Sequence, residues 1–219
     1  MYAAAVEPAC GARDWRARLL DCLRGTQPQH DPGQWLIPGL TAAESRQYDR
    51  FLPRQVIAAA VLVPIVTHES GLTVLFTQRA TALKNHAGQI SFPGGRVEAN
   101  DAGPQAAALR EAQEEIGLDP TRVTVIGFLP DHIVVSGFRV TPVVAFVEPG
   151  FQLRLDAHEV QDTFEVPLDY LFQPANHRPR RRRLSADTEV ELCEIPYGER
   201  NIWGATAGML VNLAEVLTR

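Results

Sequence analysis

The chain has 219 residues, 45% of them apolar and 21% charged, with 21 Lys and Arg against 26 Asp and Glu for a formal net charge of -5. That apolar share excludes a disordered chain, and the mildly acidic balance argues against a broad basic face for nucleic acid. The length suits one large domain, or a domain of about 150 residues with an extension.

The longest apolar run, Val56 to Val66, contains Pro64 and is far short of the ~20 residues of a membrane-spanning helix. Glu7 and Arg13 interrupt the N-terminus before a signal-type apolar stretch forms. Cys10, Cys22 and Cys193 are scattered and make no C-x-x-C pair. Neither a disulfide framework nor a zinc site is expected, and a reducing cytoplasm is the expected location.

In chain order, Arg13 to Arg24 is predicted to form an amphipathic helix, with Trp15, Leu19, Cys22 and Leu23 at spacings of three and four. Gly25 to Gly39, rich in Pro, Gly and Gln, reads as loop. Thr41-Ala-Ala-Glu44 has the form of a capping box opening a short second helix. Residues 1–50 are therefore expected to be a helical extension ahead of a main domain over 51–219.

From Val56 the pattern changes to strands. Val56–Val66 and Leu72–Thr77 are β-rich and joined by a turn at His68 to Gly71. Further strands are predicted at Arg122–Phe128, Arg139–Val147 and Phe151–Leu155. Thr163 to Phe172 is expected to include a short helix, and Thr206 to Leu217 a closing one. Strands around one central helix and a terminal helix predict a mixed α+β sandwich rather than a doubly wound sheet.

The central helix carries the chemistry. Pro104 suits its first turn and Gly117 its stop. Leu109, Ala112 and Ile116 recur as one buried stripe, and Glu111, Glu114 and Glu115 recur at i, i+3 and i+4 as a second, acidic face. Carboxylates at that spacing repel one another, and they sit in the last turns, where the helix dipole disfavours negative charge. Three glutamates alone are as well read as a solvated acidic face. A hard divalent cation, however, wants such oxygens together with substrate phosphates. Pro93-Gly94-Gly95 ahead of the helix allows close approach of backbone to a ligand, and Arg110 can orient a carboxylate by a bidentate pair.

The run Arg110-Glu111-Ala112-Gln113-Glu114-Glu115-Ile116-Gly117-Leu118 resembles the REUXEEXGU half of the Nudix box, GX5EX7REUXEEXGU, at every position. The upstream half departs from it: Ala102 stands where Glu is expected and Arg96 where Gly is expected. Gly95 and Asp101 take those roles if one extra residue lies between Asp101 and Arg110, with Glu98 as the other candidate. The resemblance implies the Nudix fold, with a mixed β-sheet sandwiched between helices, and hydrolysis of a nucleoside diphosphate linked to another moiety with Mg2+ or Mn2+. It implies Glu111 and Glu115 as metal ligands, Glu114 as a further ligand or the base for water, and Arg110 as the residue that orients the glutamates.

A second signature, LFTQRATALKNHAGQISFPGG (Leu75 to Gly95), resembles the motif of the coenzyme A pyrophosphatase subgroup, LLTXR(S/A)X3RX3GX3FPGG. Lys84 replaces its second arginine and loses the planar fork. Ser136 to Val144, Phe164 to Leu168 and Ile202 to Leu210 are also similar to that subgroup. The implied substrate is the small molecule coenzyme A or a derivative, with no nucleic-acid or membrane partner, and a homodimer is open. Arg79, Lys84 and His86 carry charge suited to phosphate, Gln89 and Ser91 offer hydrogen bonds, and Gly94 and Gly95 admit the ligand. Each of them, taken alone, is equally a surface or hairpin residue.

Arg178 and Arg180 to Arg183 form one basic block, expected as a solvated loop, with a phosphate clamp or a subunit contact as alternatives. Trp203 reads as core. Glu159 and Glu165 are candidates for a further carboxylate from outside the box.

Overall fold

A computed structural model describes residues 14–29, 35–37, 45, 56–83, 85–134, 136–185 and 188–218, with the backbone alone over 182–191. Cys10, Thr41 to Glu44 and Lys84 lie outside the described residues.

The apolar run becomes β1 (Ile57–His68), which turns into β2 (Gly71–Arg79). This hairpin is paired only near its turn, from Ile65↔Val74 to His68↔Gly71. Beyond it the two strands part, and two short strands enter the wedge. β3 (Ile90–Ser91) ladders with β2, and β4 (Gly94–Arg96) ladders with β1. The other edge of β1 pairs in parallel with β7 (Phe138–Val147), which carries β5 (Val123–Phe128) and β6 (His132–Ile133). The other edge of β2 pairs with β8 (Val160–Pro167), completing an eight-stranded mixed sheet.

Helix α2 (Pro104–Ile116) crosses one face of this sheet. Its Ala107, Ala108, Ala112 and Ile116 pack with Ala60, Leu62, Val143 and Ala145, and the small side chains bring helix and strands close. On the opposite face lie α1 (Trp15–Leu23), α3 (Leu168–Phe172), α4 (Ala205–Thr218) and a second sheet of β9 (Arg178–Ser185), β10 (Thr188–Tyr197) and β11 (Arg200–Trp203). The fold is the expected α+β class, a mixed sheet between helices. No helix among the described residues is long and apolar enough to cross a membrane.

Helix α1 begins where Asp14 caps it, accepting from the Ala17 N–H at 3.0 Å. Trp15, Leu19 and Leu23 enter the same core as α4. The Trp15 Nε1 donates to Asp169 at 2.6 Å, and its ring meets Phe172 edge-on at 5.2 Å.

Two local expectations change. Phe151–Leu155 is not a strand: Arg154 and Asp156 N–H groups donate to the Ile116 and Glu115 carbonyls, both at 2.9 Å, closing the C-terminal end of α2. Thr163 to Phe172 does include the expected short helix, Leu168–Phe172, which follows the end of β8. The arginine block is a strand, not a loop. In its ladder Arg178 stands opposite Glu194, and Arg180 also reaches that carboxylate at 3.3 Å, so opposed charge favours the pairing there.

Candidate active site

The Phe92-Pro93-Gly94-Gly95 turn forms the floor of the site. Phe92 is buried and stacks on Phe76 at 5.3 Å, which stacks on Phe164 at 5.5 Å. The Pro93 carbonyl accepts from Leu62 N–H at 2.9 Å. A Cβ on Gly94 would strike the Ala60 carbonyl and Val61, and one on Gly95 would strike the Glu111 carboxylate. Both glycines are therefore required by close approach rather than by turn geometry alone.

Helix α2 ends at Gly117 in the left-handed conformation, φ 68°, with its N–H on the Gln113 carbonyl at 2.9 Å. That register fixes the three glutamates, and they do not share one environment. Glu115 is 4% exposed and accepts from the Gly94 N–H at 3.2 Å; Glu111, one turn earlier, is 16% exposed; Glu114 is 61% exposed. The structure brings Glu111 and Glu115 together over the glycines and sends Glu114 toward solvent. Among the described residues, no three His, Cys, Asp or Glu side chains form a closed cage for an ion.

Burial pushes the Glu115 carboxyl up to about 8, and the charges of Glu159 and Glu111 add to the rise. The Gly94 N–H and Arg79, whose Nη1 lies 3.9 Å from Glu115 Oε1, pull the other way. Glu111 is also raised, first by burial, with Glu114 and Glu159 adding repulsion against Arg110. Two largely buried carboxylates of raised proton affinity, walled by glycine and facing one another's charge, fit a hard divalent cation bound by oxygen.

Arg110 organises the pair from one side. It donates to Asp101, Glu111, Glu114 and the Arg96 carbonyl at 2.9 to 3.1 Å, and these partners raise its already high basicity. Asp101, not Glu98, holds the acidic position upstream of the helix. Glu98 supplies backbone: its N–H donates to Asp101 Oδ2 at 2.8 Å and its carbonyl accepts from Asp101 N–H at 3.1 Å.

Of the upstream signature, Arg79 reaches Glu115, and its Nε is buried with no hydrogen-bond partner among the described residues. Ser91 is half-buried against Thr77, their hydroxyls 2.9 Å apart. His86 and Gln89 are bonded to each other at 2.8 Å in an exposed turn rather than to the carboxylates. Of the two carboxylates considered outside the box, Glu159 acts electrostatically on both Glu111 and Glu115. Glu165 is occupied farther along β2 by His68, at 2.6 Å, and by Thr73. Trp203 is half-buried in the second sheet under the Arg180 guanidinium, 4.8 Å away.

Residues 56–188 match the family model described as the NUDIX domain. The chain belongs to this family. Nudix hydrolases act on nucleoside diphosphate derivatives, and this Nudix chain carries the helix and glycine turn just described. It is 44% identical over 160 residues to proteins named uncharacterized Nudix hydrolase NudL from Salmonella paratyphi B and Salmonella newport, covering 71% of this chain and 80% of each relative. The Nudix fold is also similar to a crystal structure of RenU, a Nudix hydrolase from M. smegmatis. That likeness has a TM-score of 0.51 at 20% identity, over 74% of this chain and 86% of that one.

Proposed function

We propose that this Nudix hydrolase cleaves the pyrophosphate of coenzyme A or a derivative, giving 3′,5′-ADP and 4′-phosphopantetheine, with Mg2+ or Mn2+. The observation that carries the reading is Arg79. The first arginine of the upstream signature stands 3.9 Å from the box carboxylate Glu115, with a buried donor unspent. An anionic substrate beside it satisfies that donor. A cytoplasmic location belongs to the same proposal and rests on the scattered cysteines.

Glu111 and Glu115 would hold the metal, which when bound neutralises phosphate oxygens and makes a water easier to deprotonate. Arg110, anchored on Asp101, keeps Glu111 in place, and Arg79 takes charge on the diphosphate. The water oxygen bonds to one phosphorus, the bridging P–O bond breaks, and the second phosphate leaves with the bridging oxygen. The water's proton passes to a carboxylate. Glu159, whose negative charge is felt by both Glu111 and Glu115, is the candidate for this role, whereas Glu114 is tied to Arg110 at 2.9 Å.

The test is product analysis on coenzyme A, ADP-ribose and NADH, with Mg2+, with Mn2+ and with chelator. Coenzyme A is expected to be the preferred substrate and the chelator to stop turnover. Faster cleavage of ADP-ribose or NADH replaces this reading with a dinucleotide hydrolase. Binding of coenzyme A without turnover replaces it with a sensor.

A further inference from the structure

We propose that Arg96 receives a second phosphoryl group of the substrate, one carried on the nucleoside outside the scissile diphosphate. The inference deepens the proposed hydrolase reading and rests on it for where the diphosphate lies.

The β-ladders fix where Arg96 points. Gly95 stands opposite Ala60, which packs under α2 with the carboxylate side of the sheet. Arg96 stands opposite Ala59, Ala59 opposite Val140, and Ile57 opposite Phe138. Residues opposite one another share a face, and successive residues alternate. Arg96, Phe138 and Ile57 therefore lie together on the face away from Glu111, one residue along the chain from the glycine that touches it. Arg96 is the last residue of β4 and is exposed, so a substrate held at Glu111 would reach it round the end of that strand.

The chemistry on that face is that of an anion receptor. The Arg96 guanidinium lies 5.5 Å over the Phe138 ring and is exposed, with no ion pair or side-chain hydrogen bond among the described residues. Arg110 and Arg200 are each spent on a carboxylate. The backbone of Arg96 is fixed: its carbonyl accepts from Arg110 Nη2 at 3.1 Å, and the next N–H donates to Ala58 at 3.0 Å. Beside it Ile57 is 45% exposed. A planar fork on an aromatic ring, next to bare apolar surface, suits a phosphoryl group attached to a flat nucleoside. The arginine block is the poorer receptor, because Arg178 stands opposite Glu194 in the ladder and Arg180 pairs with that glutamate at 3.3 Å.

The test is equilibrium binding to the full chain with Mg2+, comparing adenosine 3′,5′-bisphosphate with AMP. The variants are Arg96→Ala, Arg96→Lys and the double change Arg178→Ala/Arg181→Ala, with circular dichroism confirming fold. Wild type is expected to favour the bisphosphate by about tenfold, as for a hydrogen bond to a charged group. Arg96→Ala should erase that preference with AMP affinity unchanged, and Arg96→Lys should keep part of it. No preference in wild type, a preference surviving Arg96→Ala, or its loss in the double variant instead, overturns the proposal. Binding needs no turnover, so failure of the coenzyme A assay and failure of this test are read separately.

Discussion

Arg110 grips Asp101 with both sides of its guanidinium, Nε to Oδ1 at 3.1 Å and Nη2 to Oδ2 at 3.0 Å. The remaining Nη1 serves Glu111 and Glu114 at 3.0 and 2.9 Å. Because this pair holds the Asp101 carboxyl below its usual range, Asp101 stays ionised and anchors the arginine that positions Glu111, a proposed metal ligand.

Asp101→Ala should therefore lower kcat by about 10- to 100-fold, the range for an outer-shell partner of a metal ligand. Asp101→Glu should restore part of it. Glu98→Ala should leave kcat nearly unchanged, since Glu98 contributes only backbone to the bend. Steady-state kinetics with a metal titration separates these outcomes, and equal losses at 98 and 101 would remove the anchoring role.

Glu115→Gln keeps the shape of the buried ligand and removes its charge. Hydrolysis should fall by at least about 100-fold, beyond what an outer-shell change produces. In chelator the variant should melt no lower than wild type at pH 9, because an ionised carboxylate buried with one distant arginine costs stability. Retained turnover would sink the assignment of Glu115 as a ligand.

The same carboxyl sets a pH dependence. Its folded-state value of about 8 lies above its unfolded value near 4.3, so the metal-free fold binds a proton the unfolded chain lacks. The associated stability is fully present below about pH 4.3 and is lost as pH rises through about 8. Metal must displace that proton, so Mg2+ affinity should rise about tenfold per pH unit from 6 to 8 and then level off. Calorimetric titration of wild type and Glu115→Gln checks this; a slope that persists in the variant assigns it elsewhere.

The helix, its glycine stop and the β1–β2 hairpin were legible because periodicity and end signals agreed. Phe151–Leu155 misled because Phe151, Leu153 and Leu155 alternate with Gln152 and Arg154 as in a strand, while the backbone of Arg154 and Asp156 bonds to a helix end. Alternation reports which side is buried, not what the N–H groups reach. The arginine block has no alternation, and its partner Glu194 lies sixteen residues beyond Arg178, where only the ladder brings it opposite. Spacing placed Glu111, Glu114 and Glu115 on one face, but burial separates them: the glycine turn covers two, and solvent takes the third. Glu159 had no local signal, because its nearness to the box comes from the strand that follows it pairing with β2.

The seat of α1 can be tested at Gly127. A Cβ there would strike the Leu23 carbonyl, the Leu23 Cβ and the Thr26 hydroxyl. That hydroxyl closes the joint, donating to the Leu23 carbonyl at 2.7 Å and accepting from Phe128 N–H at 2.8 Å. Gly127→Ala should therefore cost about 1–3 kcal/mol, as overpacking does, read as a lower midpoint in denaturant. None of these atoms touches the carboxylates, so kcat well below the melting range should hold. A neutral effect on stability would mean that α1 is not seated against β5 in solution.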